Sequence, residues 1–155
     1  MIESLNVTKT LSVSSDKVWA AISGIGGLEH WFPVIAGCRV TGAGVGAMRV
    51  LELTDGAVIK DRIEEINDAE RRFRYTRTDS PFPVSRYLGT VDVHDDNGKT
   101  TVSWAVELDV SAEARDELLA FLTGALSDGI AGLEHHIKAD AGIAFLTEDK
   151  NLTVL

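Results

Sequence analysis

The chain reads as an α+β protein: a seven-stranded curved antiparallel sheet wrapped around one long C-terminal helix, with two short helices after the first strand. Two observations predict this. Seven short segments with strand-like alternation come first, separated by turns rich in Gly, Asn, Asp and Pro. A single apolar stripe then follows, Leu119, Leu122, Leu126, Ile130, Leu133 and Ile137, stepping by three and four residues. That spacing puts the whole set on one face of a helix running from Ser111 to Lys138. A sheet gripping one helix leaves a cavity between them, so the functional question is what fills it.

The elements follow in order. The first strand runs from Leu5 to Val13. Ser14 or Ser15 then caps a helix that carries Asp16 in its first turn and Val18, Trp19 and Ile22 on its apolar face. Gly24, Gly26 and Gly27 end it. A second short helix covers Leu28 to Trp31 and stops before Pro33, because the residue preceding a proline avoids the helical region. Strands are expected at 36–42, 46–54, 57–66, 71–78, 86–95 and 100–109, with turns at Gly42 and Gly44, Asp55-Gly56, Asn67-Asp68, Ser80 to Pro83, and Asp95 to Gly98.

Register decides which side chains face inward. A two-residue loop at Asp55-Gly56 would set Leu51 opposite Lys60 and mix charge into the apolar face. A three-residue loop with Gly56 in the left-handed position instead pairs Leu53 with Ala57, Leu51 with Ile59 and Arg49 with Asp61. The second arrangement is adopted, and it puts an Arg49–Asp61 pair on the concave face. Alternation in later strands turns Phe73, Tyr75 and Arg77 inward, then Tyr87, Gly89, Val91 and Val93, then Val102, Trp104, Val106 and Leu108. Gly89 leaves a gap on that face, either for a ligand or to ease strand bending. Gly124, Gly129 and Gly132 in the long helix have two readings as well: space or a pivot for a ligand, or close packing against the short helices or a partner subunit.

Composition excludes several classes. At 155 residues the chain is a single domain with an ordinary share of apolar residues, 45%. A net charge of −9 repels phosphate backbones and anionic headgroups, which argues against nucleic acid or a membrane surface as partner. No segment approaches a membrane span, and the N-terminus lacks a secretory pattern, so a cytoplasmic protein without membrane insertion is expected. Cys38 is the only cysteine, which fits a reducing compartment and the role of a small, partly apolar side chain. The four histidines have no ligand spacing, so no metal is expected.

One stretch, Val18-Trp19, then Gly26-Gly27-Leu28-Glu29-His30-Trp31-Phe32-Pro33, then Cys38, resembles the amino-terminal signature of the polyketide cyclase and dehydrase type members of the START-like helix-grip superfamily. Gly46-Ala47-Met48-Arg49 leading to Asp55-Gly56, Asp61-Arg62-Ile63-Glu64, Ser80 to Val84 with Tyr87, and Val102-Ser103-Trp104 extend the resemblance over residues 3–137. The superfamily also includes birch pollen allergen type proteins and plant abscisic acid receptors. The resemblance implies a deep cavity between sheet and helix, and by similarity to the receptors a gate loop at Thr54 to Ala57 and a latch loop at Asp79 to Ser85. The gate turn is shorter here. Such members end near the long helix, so 1–138 is read as the ligand-binding domain and 139–155 as an extension packing on the domain or on a partner subunit in a homodimer.

The inward polar set is Arg49, Asp61, Tyr75, Arg77 and Tyr87, with Trp104 as an aromatic wall. Leu51, Leu53 and Ile59 from the hairpin, Phe82 from the proline-rich turn, and Leu122, Leu126 and Ile130 from the helix complete the candidate lining. An apolar cavity with a few convergent polar groups suits a small hydrophobic molecule bearing a polar or anionic group, with no cofactor. An enzyme of the cyclase or dehydrase kind would instead use Asp61 as general base on a poly-carbonyl substrate, with Tyr75 or Tyr87 stabilising the enolate and an arginine polarising the carbonyl. An Asp61 held in a salt bridge would be a poor base. A dimeric interaction protein without a ligand is the third possibility.

Overall fold

The computed structural model describes residues 1–148, with side chains described through Ala141. Seven strands, β1 (Ile2–Leu11), β2 (Ile35–Thr41), β3 (Met48–Leu53), β4 (Val58–Asn67), β5 (Arg72–Asp79), β6 (Val84–Asp96) and β7 (Lys99–Val110), form one sheet in the order β1-β7-β6-β5-β4-β3-β2. Each neighbouring pair is antiparallel. Helix α1 (Ser15–Ser23) and a 3₁₀ turn, Leu28–His30, separate β1 from β2, and helix α2 (Arg115–Glu148) closes the described chain.

Local chemistry explains the elements. Ser14 is the N-cap of α1, its hydroxyl accepting from the Lys17 backbone N–H, and Val18, Trp19 and Ile22 turn into the core. The hairpin register is the one expected: Arg49 stands opposite Asp61 and Leu51 opposite Ile59, the Leu53 N–H donates to the Ala57 carbonyl, and Gly56 takes φ +89°. Phe73, Tyr75, Tyr87, Val91, Val93, Val102, Trp104, Val106 and Leu108 are all buried on the concave face, as their alternation requires.

Helix α2 departs from its expected span at both ends. It starts at Arg115, because Ser111 to Ala114 form a turn in which the Ser111 hydroxyl accepts from the Ala114 N–H. It runs past Lys138 to Glu148, so the extension begins as a continuation of the helix. Residues 149–155, including Leu152, Val154 and Leu155, lie outside the described residues. The stripe also shifts at its first position, where Leu118 is buried and Leu119 only half-buried. Leu118 sits one turn before Leu122 and two before Leu126, which aligns it with the sheet.

Gly129 and Gly132 mark where α2 crosses the segment after the 3₁₀ turn. A Cβ on Gly129 would lie 2.1 Å from the Phe32 ring, and one on Gly132 would lie 1.9 Å from the Trp31 carbonyl oxygen. These two glycines therefore serve close packing rather than ligand space. Gly124 meets nothing within 4 Å.

Candidate functional site

Three strands bring together the charged centre of the cavity. Arg49 on β3, Asp61 on β4 and Arg77 on β5 lie side by side, because Asp61 is opposite both Arg49 and Arg77 in register. The second pairing depends on a bulge in β4 between Ile63 and Glu65, which shifts the register by one residue and sets Asp61 opposite Arg77. Asp61 is fully buried and Arg49 only 2% exposed. Arg49 donates from Nε and Nη2 to Asp61 Oδ2 at 3.1 and 2.9 Å. Arg77 donates from Nε to Oδ1 at 2.8 Å and from Nη2 to Oδ2 at 3.3 Å. One carboxylate thus serves two guanidinium groups.

The rest of Arg49 is also occupied. Its Nη1 donates to the Ile25 carbonyl at 3.0 Å, and its guanidinium lies over the rings of Tyr75 and Phe73, 4.9 and 5.6 Å from their centroids. Ile25 is a buried β-branched residue at φ +70°, a left-handed conformation that side chains of this kind rarely adopt. The strain is tolerated where it aims a carbonyl at Arg49. Arg77 lies over Tyr87 at 4.4 Å and Tyr75 at 5.5 Å.

Tyr75 is seated by a missing side chain. A Cβ on Gly89 would come 2.2 Å from its ring, so the gap in β6 that the sequence offered to a ligand is filled by Tyr75 itself. Its hydroxyl accepts from Trp104 Nε1 at 3.1 Å, and Phe32 packs edge-on against Trp104. An aromatic wall of Phe32, Trp104, Tyr75 and Tyr87 therefore borders the charged centre.

Burial raises the carboxyl of Asp61, but the charges and hydrogen bonds of Arg77 and Arg49 outweigh it, so its pKa falls below the usual carboxylate range. Burial opposes the charge of Arg77, yet Asp61 holds it firmly protonated. Burial, with Tyr75 alongside, pushes the Tyr87 phenol far above its ordinary value. Asp61 is thus a fixed anion and a weak base, while Tyr87 is a neutral phenol able to donate. Burial also raises the thiol of half-buried Cys38, which is the opposite of an activated nucleophile.

The cavity between sheet and α2 has a volume of about 50 Å³. Of the residues expected from sequence, Arg49, Leu51, Leu53, Ile59, Tyr75, Arg77, Phe82, Tyr87, Trp104, Leu122 and Leu126 border it. Asp61 does not reach its surface, lying behind the two arginines that enclose it, and Ile130 is buried further along α2, outside the lining. Sequence reasoning missed Leu28, Phe32, Val34, Ile35, Phe121 and Ala125. Phe121 and Ala125 precede Leu122 and Leu126 by one position each and widen the same helical face, a signal that was present in the spacing. At the mouth, Phe82 and Phe121 pack at 5.8 Å and also border an outer cleft with Asp55, Pro83, Leu118 and Glu117, so these two rings separate cavity from cleft.

Residues 3–138 match the family model described as polyketide cyclase / dehydrase and lipid transport. The chain belongs to this family. Among solved structures it is similar to an uncharacterized protein from Bacillus thuringiensis, at 30% identity and TM-score 0.77, covering 86% of this chain and 97% of that one. It is also similar to the protein XoxI from Bacillus cereus, at 29% identity and TM-score 0.77, with 85% and 93% of the two chains covered. Norcoclaurine synthase from Thalictrum flavum shares the fold, at 16% identity and TM-score 0.74 over 88% of this chain and 87% of that one. A search of curated proteins finds no match. Family and fold agree with the START-like, helix-grip reading of the sequence, and with a hydrophobic ligand as the general class. Among the described residues, no helix is long and apolar enough to cross a membrane.

Proposed function

We propose that this protein binds a small, largely hydrophobic molecule carrying one polar or anionic group, held between the concave face of the sheet and α2. The observation that carries this reading is the composition of the cavity wall: aliphatic and aromatic side chains, interrupted by Arg49 and Arg77 beside Tyr75 and Tyr87. Such a wall gains free energy from burying an apolar body and orients it through a few polar contacts. The lipid-transport part of the family description supports the same class of ligand.

At about 50 Å³ the cavity holds a few waters and no organic ligand. Uptake in this reading therefore moves the Phe82–Phe121 pair, which borders both the cavity and the outer cleft. Ligand-binding pockets typically offer about 300 Å³ or more, so the opening displaces both rings.

Binding is favoured over base catalysis because Asp61, the one carboxylate at the charged centre among the described residues, is saturated by two arginines and set back from the cavity. In this reading the protein works in the cytoplasm, as a monomer or a homodimer, without cofactor, and its acidic surface keeps nucleic acid away.

Native mass spectrometry of the purified chain, before and after incubation with a metabolite extract, tests the proposal. A reproducible small-molecule adduct is expected, and it should be lost in Ala125→Trp, which fills the cavity from α2. No adduct from broad extracts, or an adduct that persists in Ala125→Trp, would contradict it.

A further inference from the structure

Resting on the binding reading above, we infer that the ligand is a monoanion, an apolar carboxylate, and that Arg77 is the residue that selects it. The two arginines differ in what they have left to give. Arg49 uses both edges of its guanidinium on Asp61 and the Ile25 carbonyl and is enclosed by Phe73 and Tyr75. Arg77 spends Nε and Nη2 on Asp61, and its Nη1 has no hydrogen-bond partner among the described residues. Arg77 lines the cavity, and its side chain is only 9% exposed.

Charge makes the same point independently. A buried cation, Arg49, and a largely buried one, Arg77, which also borders a surface pocket with Thr78, Asp79 and Ser85, share one buried anion, since Asp61 is the only carboxylate in ion-pair contact with either among the described residues. The centre therefore carries one positive charge more than its partners neutralise, next to a wall of low polarity. A single carboxylate on a ligand would balance it, accept from Arg77 Nη1, and find the neutral Tyr87 hydroxyl as a neighbouring donor against whose ring Arg77 already lies. A neutral ligand would leave the excess charge in place. A dianion would reverse it.

Isothermal titration with isosteric pairs reads the inference directly: phenylacetate against phenylacetamide, and octanoate against octanamide. Within each pair shape is kept and charge is changed. A preference for the carboxylate of about 10-fold or more is expected, the range of a charge-assisted hydrogen bond. It should collapse towards equal affinity in Arg77→Met, which leaves Asp61 paired with Arg49 and the centre neutral. Equal affinity for amide and carboxylate in the unaltered protein, a comparison that needs no variant, would overturn the inference while leaving the hydrophobic site standing. An undiminished carboxylate preference in Arg77→Met would also overturn it. Failure of every compound to bind, together with no adduct in native mass spectrometry, would overturn the binding reading as well.

Discussion

Asp61→Asn is expected to lose about 3–5 kcal/mol of stability, the cost of leaving a buried ionic partner unpaired. The substitution keeps the shape of the side chain but removes the one carboxylate that, among the described residues, pairs with Arg49 and Arg77. Against a typical domain stability of about 5–15 kcal/mol this is a large share, and a thermal midpoint lower by roughly 10 °C or more should follow. Arg77→Met is the control, because it leaves one cation with one anion and should cost clearly less. The order of the two midpoints, Asp61→Asn below Arg77→Met, separates a shared counter-ion from two independent salt bridges.

The same residue shapes the acid limb. Its folded pKa lies below the unfolded value, so between the two the unfolded chain binds the extra proton and stability rises with pH. The contribution of Asp61 is therefore whole above the unfolded carboxylate value of about 3.9 and is lost as pH falls through the lower, folded one. Asp61→Asn should flatten that limb of the stability curve, as measured by denaturant titration at a series of acidic pH values.

Alanine at two glycines of α2 should act in opposite directions. At Gly132 the new Cβ would lie 1.9 Å from the carbonyl oxygen of Trp31, backbone that has no rotamer with which to yield. The helix has to lift away from Trp31 and Phe32, and a loss of about 1–3 kcal/mol or more is expected from this overpacking. At Gly124 nothing lies within 4 Å, so alanine should gain about 0.5–1 kcal/mol from helix propensity alone. Thermal unfolding of both variants checks the pair. A neutral Gly132→Ala would mean that α2 rides higher on the sheet than described. Because Phe32 also borders the cavity, the lifted helix should bind ligand differently, whereas Gly124→Ala should leave binding unchanged.

Much of this architecture was legible because it rests on local periodicity. The β3–β4 register could be read from the alternation of Leu51, Leu53 and Ile59 with charged residues, since only one loop length keeps the charges off the apolar face. The Arg49–Asp61 pair came with it. The role of Arg77 as the second partner of Asp61 was not legible, because it depends on a bulge in β4 that no residue type announces. Nor did the sequence show that Tyr75 fills the gap at Gly89, or decide between ligand space and close packing at Gly129 and Gly132, which accommodate Phe32 and Trp31 about a hundred positions away. Those are tertiary contacts between elements, and periodicity within one element carries no trace of them. The offset from Leu119 to Leu118 is of the same kind, since one helical position is about 100° of rotation and the sheet decides which residue faces it.

Methyl-resolved NMR titration tests the central claim, a hydrophobic binding site between sheet and α2. The compounds are the carboxylate and amide pairs named above, extended to straight-chain carboxylates from butanoate to decanoate. The account predicts that at least one compound shifts the methyl signals of Leu51, Leu53, Ile59, Leu122 and Leu126 together with the indole N–H of Trp104. Shifts confined to surface residues remote from these, or none across the series at saturating concentration, would contradict it.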